Sequence, residues 1–569
     1  MAALATFVRV ALAAATPVVV DFSSGNAYDD ELFVRLGLSI ASGDWLGTFG
    51  EITMAKNPGY PMFLAFCGVT HIPYQVALIT LIAIGAAVCA LAVKPIVKSP
   101  VVILAIYLVI LFNPLSFTTA FFRRIYRDAL VIPFAMTALA SYIGLYLRRD
   151  RGIRACAPWA ILAGLSTACL QVIKENGLWI IPFACVCSAV IIGSWLLSAR
   201  REQIQVRDAL VRCMVLILLP ALLTPLFKGA VKAKNQSVYG VSAMSDRFDG
   251  AFSKACSKLS LIDGGANSSS IWVSRQAMSE ALVASPTLAT IEDDIWASWT
   301  QWSALFDGNE IYGDMCYWAL MDAGNAAGKY DSATTASEFW NSVASELDDA
   351  LTSGRLASRS GLRISSVAPP IDESNLLAWI SRTLKTSVRL STLDIMDCRM
   401  ISDWQGSAQD SDSLDEDGQA VAAMLGDNVI FTKGTEQTVP QGTLANKIDS
   451  ALGHLMVMVA RALFVLMLPC LAYALLSGVL AQRKGARLEA GLIVAGLLLT
   501  ALAFEAATTW YVMYQLTIFD YTSYITEAYK YSPEFVVALL MAALYAVSFV
   551  LGSLDIRSLF GRCEKPTAD

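Results

Sequence analysis

Ten stretches of about 20 apolar residues, separated by short charged loops, constrain this chain more than any other feature. About 20 apolar residues in a helix cross a bilayer's hydrocarbon core. The stretches run at roughly 2–20, 73–93, 101–120, 129–147, 155–173, 177–198, 208–228, 456–480, 488–506 and 533–552. Inside lipid the backbone must satisfy its own hydrogen bonds, so such a chain folds as helices. The expectation is an all-α polytopic membrane protein with about ten transmembrane helices. Only 16% of residues are charged, against about 25% in average soluble domains, which excludes a single water-soluble globule and a disordered chain. The first stretch has the length of a signal peptide but no basic n-region, and is read as a span.

Orientation follows from lysine and arginine, which favour cytoplasmic loops. Alternate loops carry Lys94 and Lys98; Arg148, Arg149, Arg151 and Arg154; Arg200, Arg201 and Arg207; Arg483, Lys484 and Arg487; and Arg557, Arg562 and Lys565. With ten spans all fall on one side, which places both termini on the cytoplasmic side of a cell membrane and residues 21–72, 121–128, 174–176, 229–455 and 507–532 outside. Three parts result: an N-terminal transmembrane module, 1–228, with its first outer loop at 21–72; an extracytoplasmic domain, 229–455, inserted after the seventh span; and a C-terminal transmembrane module, 456–569. Residues 229–449 hold 29 acidic against 16 basic residues, a net of −13, whereas the rest of the chain carries +7. No basic stripe suits nucleic acid, and two histidines argue against a histidine-rich metal centre.

The outer loops hold few cations, and those few stand out. Arg123, Arg124 and Arg127 lie in RRIYRD, Lys174 in VIKENG and Lys56 in TMAKNPGYP. Cations on the disfavoured side are candidates for holding an anion at the membrane surface, with headgroup snorkelling as the simpler role. In the first loop, residues 29–42 repeat at helical spacing, with Leu32, Leu36 and Ile40 on one face and Phe33 beside them. This predicts an amphipathic helix at the interface. Asp29, Asp30 and Glu31 sit in its first turn, where the helix dipole favours carboxylates whatever else they do. Asn57–Pro58–Gly59–Tyr60–Pro61 reads as a rigid turn towards the next span.

The inserted domain is long enough for its own core. Residues 273–285, 293–306, 337–354 and 373–388 have helical periodicity, so the domain is expected to be mostly helical. Residues 403–418 read as a solvated acidic loop without EF-hand spacing. One disulfide among Cys67, Cys256, Cys316 and Cys398 is expected in an oxidising compartment, with its pairing open. The sequons at Asn235 and Asn267 fall on the same face. The chain contains no Walker loop, GxGxxG, HExxH or CxxC.

The stretch YDDELFVRLGLSIASGDWLGTFGEITMAKNPGYPMFLA resembles the opening of the GT-C glycosyltransferases, above all the branch of the protein O-mannosyltransferases and lipid A aminoarabinose transferases. An acidic pair, a Gly-Asp-Trp stretch and a Lys-x-Pro turn occur in that order here, as Asp29–Glu31, Gly43–Trp45 and Lys56 with Pro58–Pro61. RRIYRDAL and KENGLWIIP are similar to later segments of the family, and the resemblance covers roughly residues 5–200. The inserted domain has no trefoil-like repeats, which leaves the acceptor open.

The resemblance implies a GT-C fold and inverting transfer of a sugar from a polyprenyl-phosphate donor to an acceptor hydroxyl. The acceptor is a cell-envelope glycan, glycolipid or protein, and the source bacterial. On that reading Asp29 or Asp30 takes the acceptor's proton, with the edge to Asp30, and Glu31 orients the acceptor. Lys56, Arg124, Arg127, Lys174 and, more weakly, Arg461 hold the donor phosphate. Asn57, Pro58 and Tyr60 form a substrate loop. Organic cations make a metal unnecessary; other superfamily members imply Mg²⁺ or Mn²⁺, for which Asp29 and Asp30 are the ligands. The rival readings are a transporter or flippase of an anionic or lipid-linked solute, weakened by the lack of an inverted repeat, and a surface receptor.

Overall fold

The computed structural model describes residues 1–21, 27–118, 122–202, 211, 214–265, 270–306, 308–394, 416–426, 429–432, 444–480, 485–515 and 528–553. The protein is a multi-pass helical membrane protein. Eight of its described helices are long and apolar enough to cross a bilayer: Tyr74–Ala92, Asp128–Tyr146, Ile153–Ile173, Gly177–Leu196, Leu216–Tyr239, Leu444–Ser477, Arg487–Val512 and Pro533–Ser553.

The other two expected spans are shorter. The first is the helix Ala2–Ala14, ended by Pro17 before the strand Val18–Asp21. The third is the helix Pro100–Leu111, ended at Asn113–Pro114 by a single 3₁₀ turn, Pro114–Phe117. At about 1.5 Å per residue these reach about 20 Å, short of the roughly 30 Å hydrocarbon thickness. A run of apolar residues was legible in both places; the prolines that cut the helix short carry the difference.

An unexpected apolar helix, Gly59–Thr70, follows the Asn57–Pro58 turn, ending at His71 in the left-handed region. The helices Leu219–Tyr239 and Leu444–Leu480 run through both ends of the inserted domain, at residues 228 and 455. Within that domain the expected helices are present as Arg275–Ala284, Glu292–Ser303, Ala333–Thr352 and Glu373–Thr392. Its core includes Trp272, Trp299, Trp340 and Phe252, each almost fully buried. Most of the acidic loop lies outside the described residues, as do Cys398 and Asn267; Glu416 and Asp417 open the helix Glu416–Leu425. Cys67, Cys256 and Cys316 are buried free thiols, so no pair among these three forms the expected disulfide.

The strand Val18–Asp21 pairs in parallel with Val429–Thr432, joining the N-terminus to the end of the inserted domain. On its other edge, Val19 N–H donates to the Arg123 carbonyl (2.8 Å) and Ile125 N–H to the Val19 carbonyl (3.0 Å). Successive side chains on an extended segment point to opposite faces. Arg123 and Arg124 are therefore sent apart.

The helix Leu32–Ala41 follows a wide turn at Ala27–Glu31. Leu32 and Leu36 pack with Leu46, Met54 and Ala243, while Phe33 and Val34 enter the transmembrane core. It is wedged between two bodies, buried on most sides, whereas an amphipathic helix at an interface would leave one broad face open.

Candidate functional site

Cations reach the start of the Leu32–Ala41 helix from the turn at 56–59 and from residues 124–127. The turn at 56–59 is fixed by contact with residues 171–175. Asn57 donates through Nδ2 to the Gln171 carbonyl and through its backbone N–H to Glu175 Oε1, both 2.9 Å. A side chain at Gly59 would lie 2.6 Å from the Val172 carbonyl oxygen, so this approach needs glycine. Lys56 thereby reaches Asp29 in an ion pair, with its Nζ 4.9 Å from the Phe33 ring centre. Arg127, at the N-terminus of Asp128–Tyr146, stands 6.0 Å from the same ring. Its Nη1 donates to Glu175 Oε2 at 2.5 Å, while its buried Nε has no partner among the described residues.

The acidic pair divides. Asp30 is wholly buried and takes both Nε and Nη2 of Arg124, at 2.8 and 2.6 Å. The Asp29 side chain is 25% exposed. Burial pushes the Asp29 carboxyl up, but Lys56, Lys530 and Arg124 outweigh it and hold it well below the usual carboxylate range. Burial lowers the Lys56 ammonium against the pull of Asp29. Despite burial, Arg127 and the Asn57 N–H hold Glu175 below its ordinary value.

Other expected residues behave differently. Glu31 turns to Arg35, one turn on, and does not join the cluster. Lys174 is buried between Asp128 and Glu534, the latter 3.0 Å away. Arg461 lies apart, pairing with Asp394 at 3.2 Å and donating to the Thr392 carbonyl. Tyr60 is buried, its hydroxyl 3.1 Å from that of Tyr74 and its ring edge-on to Phe33 at 5.1 Å, so it supports the cluster without lining its open side. Pro58 begins the Gly59–Thr70 helix.

Several participants escaped the sequence reading. Glu175 and Asp128 stand beside residues singled out there as cations, yet they are the counter-ions. Glu534 begins an apolar run, where an ionisable group is costly enough to be a candidate on sight. The inserted domain supplies a wall that no local motif marks. Trp318 packs on Tyr28 at 4.5 Å between ring centres and lies 5.9 Å from Lys56 Nζ. Asp322 accepts from the Tyr28 hydroxyl (3.2 Å) and from Trp302 Nε1 (2.7 Å). Arg247 covers the Trp318 ring at 3.9 Å and pairs with Asp314 at 2.6 Å.

Among the described residues, no three or more His, Cys, Asp or Glu side chains are placed to hold a metal. Asp29 and Asp30 each face a different cation. That donor set does not fit Mg²⁺ or Mn²⁺.

No family model and no curated protein matches the chain. Two solved structures are similar to it over 96% of its length at 10% identity, both of ArnT from Cupriavidus metallidurans. The apo form matches over 77% of its own chain with a TM-score of 0.27, and the form bound to undecaprenyl phosphate over 76% with a TM-score of 0.24. At such scores no residue of this chain takes a role from theirs.

Proposed function

We propose that this protein is an inverting glycosyltransferase of the GT-C kind, which moves a sugar from a polyprenyl-phosphate donor to an acceptor hydroxyl on the extracytoplasmic face of the cell membrane. The observation that carries this reading is the meeting of one accessible carboxylate, Asp29, with Lys56 and Arg127, brought from separate segments around Phe33.

The chemistry needs a proton acceptor on one side of the anomeric carbon and positive charge on the other. Asp29 accepts the acceptor hydroxyl's proton as that oxygen attacks. The bond between the anomeric carbon and the phosphate oxygen breaks with inversion, and its electron pair leaves on the polyprenyl phosphate. Arg127, through its unpartnered Nε, and Lys56 stabilise that charge. Lys56 couples the two events: as it turns to the phosphate, Asp29 loses a counter-ion and becomes a stronger base. Asp30 positions Arg124 and does not face the reacting atoms. The wall of Tyr28, Trp302 and Trp318 borders the sugar.

The test is release of free polyprenyl phosphate from a labelled lipid-linked sugar by purified protein, with donor binding measured in parallel. Asp29→Asn should bind donor and release none above background. Release at the wild-type rate from Asp29→Asn overturns the reading.

A further inference from the structure

On the opposite face of the 123–125 segment from Asp30 lies a second charged cluster that the proposed reaction does not use. Arg9, on the helix Ala2–Ala14, and Arg123 converge on one carboxylate, Asp449, near the start of the Leu444–Leu480 helix. The Arg9 and Asp449 side chains are 0% exposed and Arg123 is 6% exposed. Arg9 Nη1 stands 3.5 Å from Asp449 Oδ1, and its Nη2 donates to the Ser116 carbonyl at 2.7 Å and to Ser116 Oγ at 3.2 Å. Its guanidinium lies 4.3 Å from the Phe117 ring centre. Arg123 reaches Asp449 through Nη2.

Two guanidiniums share one carboxylate, so the triad carries a net positive charge away from water. An uncompensated buried charge is costly, and truly orphaned buried donors are rare. Yet Arg9 Nε, Arg123 Nε and Arg123 Nη1 are all buried with no hydrogen-bond partner among the described residues. Excess charge and three open N–H donors describe half of an oxyanion site. The helix that carries Arg9 turns Leu4, Phe7 and Val8 outward as exposed apolar side chains. Arg9 points to the other side of that helix, so the cluster lies on the inner side of a helix whose outer side meets an apolar phase, the phase that carries lipid anions.

We propose that Arg9 and Arg123 form a second anion site, which takes the phosphate of a lipid phosphomonoester and is separate from the Asp29–Lys56 cluster. The anion completes the triad and ties the first helix to the exit of the inserted domain. Free phosphate shares the chemistry, and the test separates the two sources.

Thermal unfolding of the full-length protein in neutral detergent is followed with added phosphatidic acid, inorganic phosphate or phosphatidylcholine. Phosphatidic acid should raise the midpoint, and phosphatidylcholine should not. A rise with inorganic phosphate alone overturns the lipid-borne source. Arg123→Gln should weaken the phosphatidic acid effect by about tenfold in apparent affinity, the scale of one lost charged contact. Arg127→Ala should leave this part of the effect in place, because Arg127 belongs to the other cluster. Asp449→Asn reads in the opposite direction: removing the competing carboxylate should tighten binding, and it keeps the test open if Arg123→Gln does not fold. No anion effect in the wild type, an equal effect in Arg123→Gln, or weaker binding in Asp449→Asn overturns the site.

Discussion

Asp29 and Asp30 are adjacent in the chain, yet they belong to different electrostatic environments. Asp29 pairs with Lys56 and keeps a quarter of its side chain exposed, whereas Asp30 is sealed against Arg124 with none exposed. Neighbours on a helical turn point about 100° apart. One faces the open side and the other the segment at 123–125. The sequence favoured Asp30 as the base; accessibility now favours Asp29.

The two asparagine variants should accordingly fail in different ways. Asp29→Asn should lose about 10²–10⁴ in transfer, the usual share of general-base assistance, with a smaller loss of stability than Asp30→Asn because the Asp29 side chain is a quarter exposed. Asp30→Asn removes the carboxylate of a buried ion pair with Arg124, a loss typically of about 3–5 kcal/mol. Paired measurements of turnover and unfolding midpoint check this. Loss of stability in Asp29→Asn with activity intact would reverse the assignment.

A second contrast separates cations that looked alike in sequence. Arg127→Ala should cost about 10²–10³ in rate, as losing one oxyanion donor does. Arg461→Ala should stay within about threefold of the wild type, because its partner Asp394 is 41% exposed and surface pairs contribute little. Steady-state rates on both variants, at saturating and limiting donor, test the pair.

How far the site was legible depends on what kind of signal each part leaves. Asp29 was legible through the resemblance of its loop to a known family, and Lys56 and Arg127 as cations in outer loops that disfavour them. Lys174 was found for the same reason, but its two acid partners come from the starts of helices more than 40 and 300 residues away. Only the fold brings them together. Tyr28's partners Trp302 and Trp318 sit in the inserted segment, which is rich in tryptophan, where core and site tryptophans share one pattern. Helices were legible by periodicity; the strand Val18–Asp21 was not, because its register depends on residue 429 and beyond.

The Gly59 contact gives a prediction about geometry. An added Cβ at 2.6 Å from the Val172 carbonyl forces the 56–59 turn off residues 171–175. Overpacking of this kind costs about 1–3 kcal/mol. Gly59→Ala should lower both stability and turnover, because Asn57 and Lys56 move with the turn. Gly193, in the helix Ile181–Glu202, serves as the control, since a methyl group added there would meet nothing within 4 Å among the described residues. Gly193→Ala should be neutral or slightly stabilising.

Lys174 allows a double-mutant test of a buried cation with two acids. Lys174→Met leaves Asp128 and Glu534 facing each other with unpartnered oxygens, Oδ2 and Oε2, already present. It should be strongly destabilising, by about 3–5 kcal/mol. Adding Glu534→Gln removes one of the stranded charges and should recover part of that loss, with a coupling of about 0.5–3 kcal/mol. Denaturant or thermal unfolding of the four proteins measures the cycle. Additive losses would place the two residues in separate environments.

Asp246, outside the membrane-spanning helices, makes the stability of the fold depend on pH. Asp246 lies where the inserted domain meets the first loop, its backbone N–H donating to the Met54 carbonyl at 2.7 Å. Burial pushes its carboxyl up to about 6, with Asp249 adding to the rise against the Phe252 N–H. An unfolded aspartate titrates near 3.9, so the folded state binds the proton more tightly. The contribution to stability is then full below about pH 4 and is lost as pH rises through about 6. Asp29 and Glu175 act in the opposite sense: held below their ordinary values, they stabilise the fold above about pH 4 and lose that contribution on acidification. Asp246→Asn isolates the first effect. Its unfolding midpoint relative to the wild type should improve as pH rises from about 4 to 7, where the wild type must bury a charge and the variant need not. A difference that stays flat across that range would mean that Asp246 is solvated in the folded protein.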